Sequence, residues 1–425
     1  MWILYDLIFA VFALLWFPVY LFRRKFHRGF SMRLGALPHG LELNRPIWIH
    51  AVSVGEINAA GKLIVELRAA YPDKKFFITT VTPTGNRIAK GFAASADFVA
   101  YLPLDFSFIT RGVVNRINPA LFIIMETEIW PNLIRHLKQR NIPMVLANAR
   151  ISDRSFKGYR MIKFLLKPIL GRISLFCAQT QADAQRLARL GAPEDKIKIT
   201  GNMKFDIADY AGTKTNQEDL KLKLGLGVQD KLLVCGSTHP GEEEIILGAY
   251  AKLLGEFPSL RLLIAPRHPE RAKEIEKLVL KNGFPSLSIS NICLKPNTDN
   301  LRPVFILDTI GELISFYAIA DVVFVGGSLI KKGGQNILEP AGIGKPVIFG
   351  PHMFNFRDIA GLFLENKAAV LARNQKELEA SIRDLLHDPQ RMAGLAQRAR
   401  ALIAQNQGAT RRNLEIISKY LVKGG

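Results

Sequence analysis

The sequence predicts an α/β protein with two domains, each built on a parallel sheet, behind an apolar N-terminal segment. The 425 residues are too many for one hydrophobic core and enough for two domains. Short apolar runs alternate with amphipathic stretches, a pattern typical of β-α-β units with parallel strands. A polar stretch at residues 206–225 interrupts this alternation, and we predict the linker there.

The N-terminal segment, residues 2–22, reads WILYDLIFAVFALLWFPVYLF and holds one charge, Asp6. A helix of about 21 residues spans roughly 30 Å, the thickness of a bilayer core. Arg23, Arg24 and Lys25 follow it, and basic flanks stay on the cytoplasmic side. We therefore predict a membrane anchor over residues 1–22 and cytoplasmic domains behind it.

Two other interpretations of this segment exist. A cleaved signal peptide places its charges before the apolar stretch, whereas here they follow it. A buried core helix is the second alternative. The pattern also leaves open whether the segment spans the bilayer or lies partly within it.

The first domain is predicted over residues 23–205. Its strands are PIWIH, KFFITT, FVAY, ALFIIM, PMVLANA and LFCA, with amphipathic helices between them. The second domain is predicted over residues 226–425, with strands KLLVCGS, RLLIAP, PVFIL, DVVFVGG and KPVIFG and terminal helices from about Gln375. Because open parallel sheets bind ligands at the carboxyl ends of their strands, we expect the site in a cleft between two such domains.

The charge is uneven between the two halves. The net charge is +20, and residues 1–205 hold 29 of the 57 Lys and Arg residues but 13 of the 37 acids. A basic half suits a polyanion such as an anionic membrane, a phosphorylated lipid or nucleic acid. The three cysteines show no metal-binding spacing, and Cys177 and Cys235 lie in apolar runs expected to be buried strands.

The second domain carries the clearest candidate site. A strand ends at Gly326-Gly327-Ser328, and a double-glycine loop then leads to Gln335, Asn336 and Glu339 at a predicted helix start. Helix N-termini bind phosphate, and a carboxylate on that face can accept hydrogen bonds from the hydroxyls of a ribose. Glu339 as a simple capping acid is the alternative. The pattern favours a nucleotide.

Three further loops of this domain follow strands. They contain Ser237-Thr238, Pro266-Arg267-His268 and Ile310-Gly311-Glu312. An arginine in such a loop fits a phosphate partner. We expect these loops to share one edge of the sheet with the double-glycine loop.

The first domain offers three candidate catalytic residues. Glu56 follows a strand in HAVSVGE, where it is either a general base or the acid of a capping box with Ser53. Glu126 follows the strand LFIIM. Lys204, in GNMKFD, is either a partner for a departing phosphate or an exposed linker lysine.

A basic stretch over residues 151–172 interleaves Arg and Lys with apolar side chains. It is typical of a helix against a membrane or a phosphorylated lipid, or of a solvated basic face over an ordinary core. The sequence contains no Walker A loop, GxGxxG after a first strand, HExxH or GxSxG motif, and no Asp-x-Asp for a metal-bound diphosphate. Hydride transfer and P-loop hydrolysis are thus disfavoured, and no cofactor or metal is expected.

Seven motifs, in order, resemble those of the 3-deoxy-D-manno-octulosonic acid (Kdo) transferases of lipopolysaccharide synthesis. They are HAVSVGE, METEIWPN, NARIS, GNMKFD, APRHPER, DTIGEL and GGSLIKKGGQNILEPA. The resemblance implies a GT-B fold, a CMP-Kdo donor, a lipid A precursor (lipid IVA) as acceptor, and a location at the inner membrane. It implies Glu56 as proton acceptor, Glu126 and Lys204 as transition-state partners, and CMP bound by Pro266, Arg267, Ile310, Gly311, Glu312, Asn336, Ile337, Leu338 and Glu339.

The chain departs from the family pattern at three positions: Gln335 stands where histidine is usual, Ile337 where proline is usual, and Ile310 where methionine is usual. Glutamine still donates and accepts hydrogen bonds but carries no charge. Two rival functions remain: another GT-B transferase that uses a UDP-sugar, and a membrane-bound nucleic-acid-binding protein. The sequence contains no nucleic-acid-binding motif that would support the second function, and we expect no nucleic-acid partner.

Overall fold

The protein divides into two compact units in a computed structural model that describes residues 5–11, 13–15, 29–208, 216–294 and 302–422. Unit 1 comprises Met1–Ile207 together with Asn406–Gly425, and unit 2 comprises Ala208–Gln405. The predicted fold class, two α/β domains on parallel sheets, is confirmed.

Unit 1 is built on a parallel sheet of seven strands within the described residues, in the order β3-β2-β1-β4-β5-β6-β7. Strands β1, β2, β4, β5 and β6 are buried along their whole length, which explains their continuous apolar runs. The strands are β1 (Ile47–His50), β2 (Phe76–Thr80), β3 (Phe98–Tyr101), β4 (Leu121–Met125), β5 (Met144–Ala149), β6 (Leu175–Ala178) and β7 (Ile197–Ile199).

The helices of unit 1 cover that sheet, and several begin at capping side chains that the sequence provides. Ser53, Thr82 and Thr180 each accept a hydrogen bond from a backbone N–H in the first turn of the helix that follows. The helices are α1 (Phe30–Arg33), α2 (Val54–Ala70), α3 (Pro83–Phe92), α4 (Ser107–Ile117), α5 (Pro131–Gln139), α6 (Asp153–Met161), α7 (Lys163–Leu170) and α8 (Gln181–Leu190).

Unit 2 repeats the architecture with a second parallel sheet, of seven strands within the described residues, ordered β10-β11-β9-β8-β12-β13-β14. Buried Cys235 lies in β8, as Cys177 does in β6, in line with the sequence expectation. The strands are β8 (Lys231–Thr238), β9 (Leu260–Pro266), β10 (Ser286–Ser288), β11 (Val304–Ile306), β12 (Val322–Val325), β13 (Val347–Phe349) and β14 (Val370–Leu371).

The remaining helices follow in chain order. They are α9 (Gln217–Lys223), α10 (Glu242–Leu253), α11 (Ala272–Lys281), α12 (Leu313–Ile319), α13 (Leu338–Gly342), α14 (Arg357–Glu365), α15 (Gln375–His387), α16 (Pro389–Asn406) and α17 (Ala409–Val422).

The last helix corrects the predicted domain boundaries. We assigned residues 226–425 to the second domain, but α17 belongs to unit 1. Its side chains Ile417 and Leu421 lie in a core cluster of unit 1. The buried Asp206 carboxylate accepts hydrogen bonds from the Gly408 and Thr410 backbone N–H groups at the start of α17. Asp206 therefore belongs to unit 1 rather than to the predicted linker 206–225, of which residues 209–215 lie outside the described part.

Both sheets have a point where the strand order reverses direction. In unit 1 it lies between β1 and β4, and in unit 2 between β8 and β12. Adjacent parallel strands at such a point send their following loops to opposite faces, which opens a crevice for ligands. Glu56 and Glu126 follow β1 and β4, Ser237-Thr238 lie at the end of β8, and the double-glycine loop follows β12.

The N-terminal segment is helical at residues 5–11 and 13–15, and the rest of the predicted anchor lies outside the described residues. Among the residues described, no helix is long and apolar enough to cross a membrane. The anchor over residues 1–22 stays a prediction.

Candidate active site

Glu56 lies in the first turn of α2, directly after β1. Its backbone N–H donates to Ser53 Oγ at 3.4 Å, and its carboxylate accepts from the Ser53 hydroxyl at 3.0 Å and from the Val52 N–H at 2.8 Å. The capping role foreseen for this residue is thus present. It holds the carboxylate in one orientation at the carboxyl end of β1, which a catalytic role also requires.

Glu126 is the residue after β4, on the other side of the strand-order reversal. Its φ of +58° places it in the left-handed region, which costs a side-chain-bearing residue about 1 kcal/mol. The Glu126 N–H donates to the Ala147 carbonyl at 2.9 Å, so the turn is fixed by the neighbouring strand β5. A strained backbone at a strand end is a common feature of functional sites.

Lys204 pairs with Glu126: its Nζ lies 2.8 Å from Glu126 Oε1. The Lys204 side chain is only 15% exposed, so the exposed-linker interpretation is wrong. The loop is held because buried Met203 donates its N–H to Asn148 Oδ1 at 2.9 Å and Phe205 is also buried. A lysine far along the chain is therefore brought to the end of β4.

The carboxylates influence one another. Burial, and then the negative charges of Glu126 and Glu128, raise the pKa of Glu56 to about 7, although hydrogen bonds from Val52 and Ser53 act in the opposite direction. Burial and the charge of Glu126 also raise the pKa of Glu128. A carboxyl that titrates near neutral pH can accept a proton and release it again, which suits a general base.

Helix α6 lies beside this cluster. Burial and the charge of Glu128 raise the pKa of Tyr159. Phe156 and Tyr159 pack against the core of unit 1, whereas Met161 and Phe164 are 82% and 74% exposed. The basic stretch 151–172 thus forms α6 and α7, with some apolar side chains in the core and others facing outward.

In unit 2, the loops after β8 and β12 are joined by one buried carboxylate. Glu242, in the first turn of α10, accepts hydrogen bonds from the N–H groups of Gly327 at 2.6 Å, Ser328 at 2.9 Å, Leu329 at 2.9 Å and His239 at 3.1 Å. Burial raises the pKa of Glu242, and these four bonds oppose that shift. Thr238 is used structurally as well, since its hydroxyl donates to Glu243.

The double glycine folds the next loop back onto Gly327. Gly333 and Gly334 have φ values of +101° and +72°, and the Gly334 N–H donates to the Gly327 carbonyl at 2.7 Å. A Cβ on Gly333 would lie 2.3 Å from Asn355 Nδ2, so a side chain there would displace the Asn355 side chain. This turn brings Gln335 Nε2 to 3.3 Å from His239 Nε2.

Helix α13 begins at Leu338, later than the predicted start at Gln335. Asn336 lies two residues before it, where its Oδ1 accepts from the Leu338 N–H at 3.1 Å and its Nδ2 donates to Glu339 Oε1 at 3.0 Å. Ile337 and Leu338 are 0% and 1% exposed, backbone included. Neither residue therefore offers accessible surface to a ligand in this structure.

Arg267 follows buried Pro266 at the end of β9, and its N–H donates to the Thr238 carbonyl at 2.9 Å. His239 lies beside it, with its ring 6.0 Å from that of His268. Burial, followed by the charges of His268, Lys332, Arg267 and Arg271, lowers the pKa of His239. Arg267 and Lys332 therefore add positive charge near His239, where an anion would be stabilised, whereas Arg271 is ion-paired with Glu243 and Glu274.

The third predicted loop follows β11. Ile310 is 85% exposed, Gly311 has a φ of +93°, and the Thr309 hydroxyl donates to Glu312. This loop and the loops after β8, β9 and β12 all leave the carboxyl edge of the sheet in unit 2, as predicted.

Sequence reasoning missed Glu242 and His239. A run such as PGEEE ordinarily forms an exposed helix start, and nothing local shows that one of its acids is buried beneath another loop. The local signal is the set of three small residues Gly326, Gly327 and Ser328, whose backbone N–H groups need an acceptor.

No group of three or more His, Cys, Asp and Glu side chains that could hold a metal ion occurs in the described part of the chain.

Comparisons with known proteins identify the family. Residues 28–207 match the family model described as 3-Deoxy-D-manno-octulosonic-acid transferase (kdotransferase). The chain is 40% identical over 380 residues to the 3-deoxy-D-manno-octulosonic acid transferase of Haemophilus influenzae. The aligned region covers 88% of this chain and 87% of that protein. It is 35% identical over 380 residues to the enzyme of the same name from Rickettsia felis, covering 88% and 79%.

A solved structure shares the fold. UDP-GlcNAc 2-epimerase from Neisseria meningitidis, at 14% identity, covers 89% of this chain and 100% of its own with a TM-score of 0.59. The two parallel-sheet domains have the GT-B type of fold, and the relatives of the chain make it a glycosyltransferase. The chain belongs to the 3-deoxy-D-manno-octulosonic-acid transferase family.

Proposed function

We propose that this protein transfers Kdo from CMP-Kdo to a hydroxyl of a phosphorylated lipid A precursor, lipid IVA, without a metal ion. The observation that carries the proposal is the cluster of Glu56, Glu126 and Lys204 at the strand-order reversal of unit 1, with the pKa of Glu56 raised to about 7. Membership in the family and the names of its relatives support the choice of sugar.

Glu56 acts as the general base in this proposal. Its ionised carboxylate accepts the proton of the acceptor hydroxyl while that oxygen attacks the anomeric carbon of Kdo. The bond from this carbon to the phosphate oxygen of CMP breaks, and CMP leaves with the electron pair. Because the hydrogen bonds from Ser53 and Val52 fix the carboxylate, little motion is needed for the transfer.

Glu126 and Lys204 support this step electrostatically. The pair places one positive charge close to the carboxylates, and its limited exposure strengthens its field. Lys204 stabilises negative charge that develops on the leaving phosphate. A monophosphate ester is a leaving group that a lysine, an arginine and backbone N–H groups stabilise in the absence of a divalent cation.

Unit 2 binds the CMP part of the donor. The Arg267 side chain contacts the phosphate, Pro266 precedes it at the end of β9, and the Ile310-Gly311-Glu312 loop closes one side. Glu339 accepts hydrogen bonds from the ribose, and Asn336 orients it through their 3.0 Å hydrogen bond. Ile337 and Leu338 lie between Asn336 and Glu339 in the chain and are buried, so they position these two residues.

Unit 1 holds the acceptor at the cytoplasmic face of the inner membrane. The basic residues of α6 and α7 suit the phosphates of lipid A precursors, and exposed Met161 and Phe164 suit its acyl region. Tyr159 joins α6 to the carboxylate cluster through its proximity to Glu128. The N-terminal segment adds the membrane attachment.

The test is transfer by purified full-length protein from CMP-Kdo, generated in the assay, to lipid IVA with EDTA present. UDP-sugars are offered in parallel, and Glu339→Gln is compared with Glu365→Gln, an exposed acid of unit 2 outside the site. We expect Kdo transfer by the wild type and the control, and a raised KM for CMP-Kdo in Glu339→Gln. Transfer only from a UDP-sugar would contradict the donor assignment while leaving the fold unaffected.

A further inference from the structure

A cavity of about 850 Å³ lies between α4 and α5 of unit 1, away from the residues assigned to catalysis. Three arginines line it: Arg111, Arg135 and Arg140. Its wall also includes Ser107, Phe108 and His136, and among the described residues no Asp or Glu lines it. The cavity is large enough for a headgroup, and its lining carries positive charge.

The cationic side chains are close enough to affect one another. Burial lowers the pKa of His136, and the charges of Arg135 and Arg111 lower it further. The ring is held in place by Gln139 Oε1, 3.0 Å from Nδ1, and by Ser107 Oγ, 3.2 Å from Nε2. Bringing like charges together costs free energy, which a bound anion recovers.

Arg140 is oriented by neutral groups. Its Nη1 donates to Asn115 Oδ1 at 3.0 Å, and its Nε donates to Asn118 Oδ1 at 3.3 Å. These two amides fix the direction of the guanidinium. Because both are neutral, they do not neutralise its charge. A planar guanidinium held in this way is suited to a phosphate.

An apolar surface adjoins the cavity. Phe108 is 74% exposed and stacks on Phe106, with ring centroids 5.7 Å apart. The Phe106 ring in turn contacts Phe9 of the N-terminal helix edge-on at 4.9 Å. That helix exposes Leu14 by 72% and Leu15 by 71%.

Polar contacts attach the N-terminal helix to the same two helices that line the cavity. Asp6 Oδ1 accepts from the Ser107 N–H at the start of α4, at 3.1 Å, and from Asn132 Nδ2 in α5, at 2.7 Å. The Tyr5 hydroxyl donates to buried Asp105 at 2.9 Å. The cationic cavity and the exposed apolar helix are therefore parts of one docked surface.

We propose that this cavity binds the phosphate headgroup of an anionic membrane phospholipid, with Phe108 and the N-terminal helix in its acyl region. Arginines beside exposed apolar side chains match the two layers of a bilayer surface, phosphate and hydrocarbon. The site attaches unit 1 to the membrane through α4 and α5. It goes beyond the proposed transfer reaction and does not depend on the identity of the sugar.

The test is flotation of full-length protein with vesicles of phosphatidylcholine, with and without phosphatidylglycerol. Arg111→Gln removes an exposed arginine of the cavity, and Lys138→Gln removes one exposed charge of α5 outside the lining. Loss of a charged hydrogen bond should lower the partition onto phosphatidylglycerol vesicles about tenfold or more for Arg111→Gln. A lysine that only adds to the general positive charge of the surface changes this partition by at most about fivefold, and we expect such a change for Lys138→Gln.

Binding to phosphatidylcholine vesicles should be equal in wild type and both variants, because the apolar helix is unchanged. Equal losses in the two variants would overturn the proposal in favour of a diffuse basic surface. It would also be overturned if Arg111→Gln bound vesicles normally but raised the KM for lipid IVA in neutral detergent, since the cavity would then serve the acceptor. Flotation measures no turnover, so an inactive enzyme leaves the result interpretable.

Discussion

Glu242 supports the loop after β12, and its replacement by glutamine gives a prediction whose size follows from the structure. Oε1 accepts from the N–H groups of Ser328 and Leu329, and Oε2 accepts from those of Gly327 and His239. Glutamine keeps one oxygen and replaces the other by an NH₂ group that cannot accept. Two buried N–H groups are then left without an acceptor.

Each orphaned donor costs about 1–3 kcal/mol, so the loop should lose roughly 2–6 kcal/mol of opening free energy. The effect is local, because Glu242 joins the loop to α10 and leaves the strands themselves unchanged. At about 1.4 kcal/mol per factor of ten, amide exchange at Gly327, Ser328 and Leu329 should accelerate by roughly 30-fold or more.

Hydrogen exchange read by mass spectrometry on a peptide that covers residues 326–334 measures this change. Glu244→Gln is the matched control, because Glu244 lies two residues further along the same helix and is exposed. We expect wild-type exchange in the control. Unchanged exchange in Glu242→Gln would refute the reasoning that this carboxylate holds the loop.

Three further predictions concern unit 1. Lys204→Met should lower kcat by roughly 100-fold with little change in the KM for CMP-Kdo, because the lysine acts on charge that develops in the transition state; steady-state kinetics measure this, and an unchanged kcat would remove Lys204 from the mechanism. Glu126→Gln should lower the pKa of Glu56 and move the acidic limb of the pH–rate profile below pH 7. The shift should be larger than in Glu128→Gln, because the charge of Glu126 raises the pKa of Glu56 more than the charge of Glu128 does. Equal shifts in the two variants would contradict this order. Asp206→Asn removes one acceptor at the start of α17, which should lower the opening free energy of this helix by about 1–3 kcal/mol and accelerate amide exchange over residues 409–422. Unchanged exchange there would show that apolar contacts alone hold α17 in place.

The architecture of the sheets could be predicted because the signal is local. Buried parallel strands such as β4 and β5 have apolar side chains on both faces, so their continuous runs identify them without knowledge of the partner strands. The positions of Glu56 and Glu126 after strands followed from the same pattern. The sequence pattern did not show that β1 and β4 are adjacent in the sheet, which places the two glutamates on either side of the strand-order reversal.

Long-range contacts explain what could not be predicted. The sequence pattern left Lys204 open between a phosphate partner and an exposed linker lysine, and its pairing with Glu126 joins positions 78 residues apart in sequence. The attachment of α17 to unit 1 depends on Asp206, about 200 residues before it. Such contacts leave no periodicity, so sequence patterns assign these residues to the neighbouring segment.

The most direct test of the central claim is the pH dependence of kcat/KM for Kdo transfer in wild type, Glu56→Gln and the control Glu66→Gln on the same helix. A base with a pKa of about 7 is protonated below that pH, so the wild-type rate should rise with pH through about 7. Glu56→Gln should lose roughly 100-fold to 10,000-fold in rate together with this limb, and Glu66→Gln should behave as wild type. A folded Glu56→Gln protein with the wild-type rate and limb would show that Glu56 only caps α2.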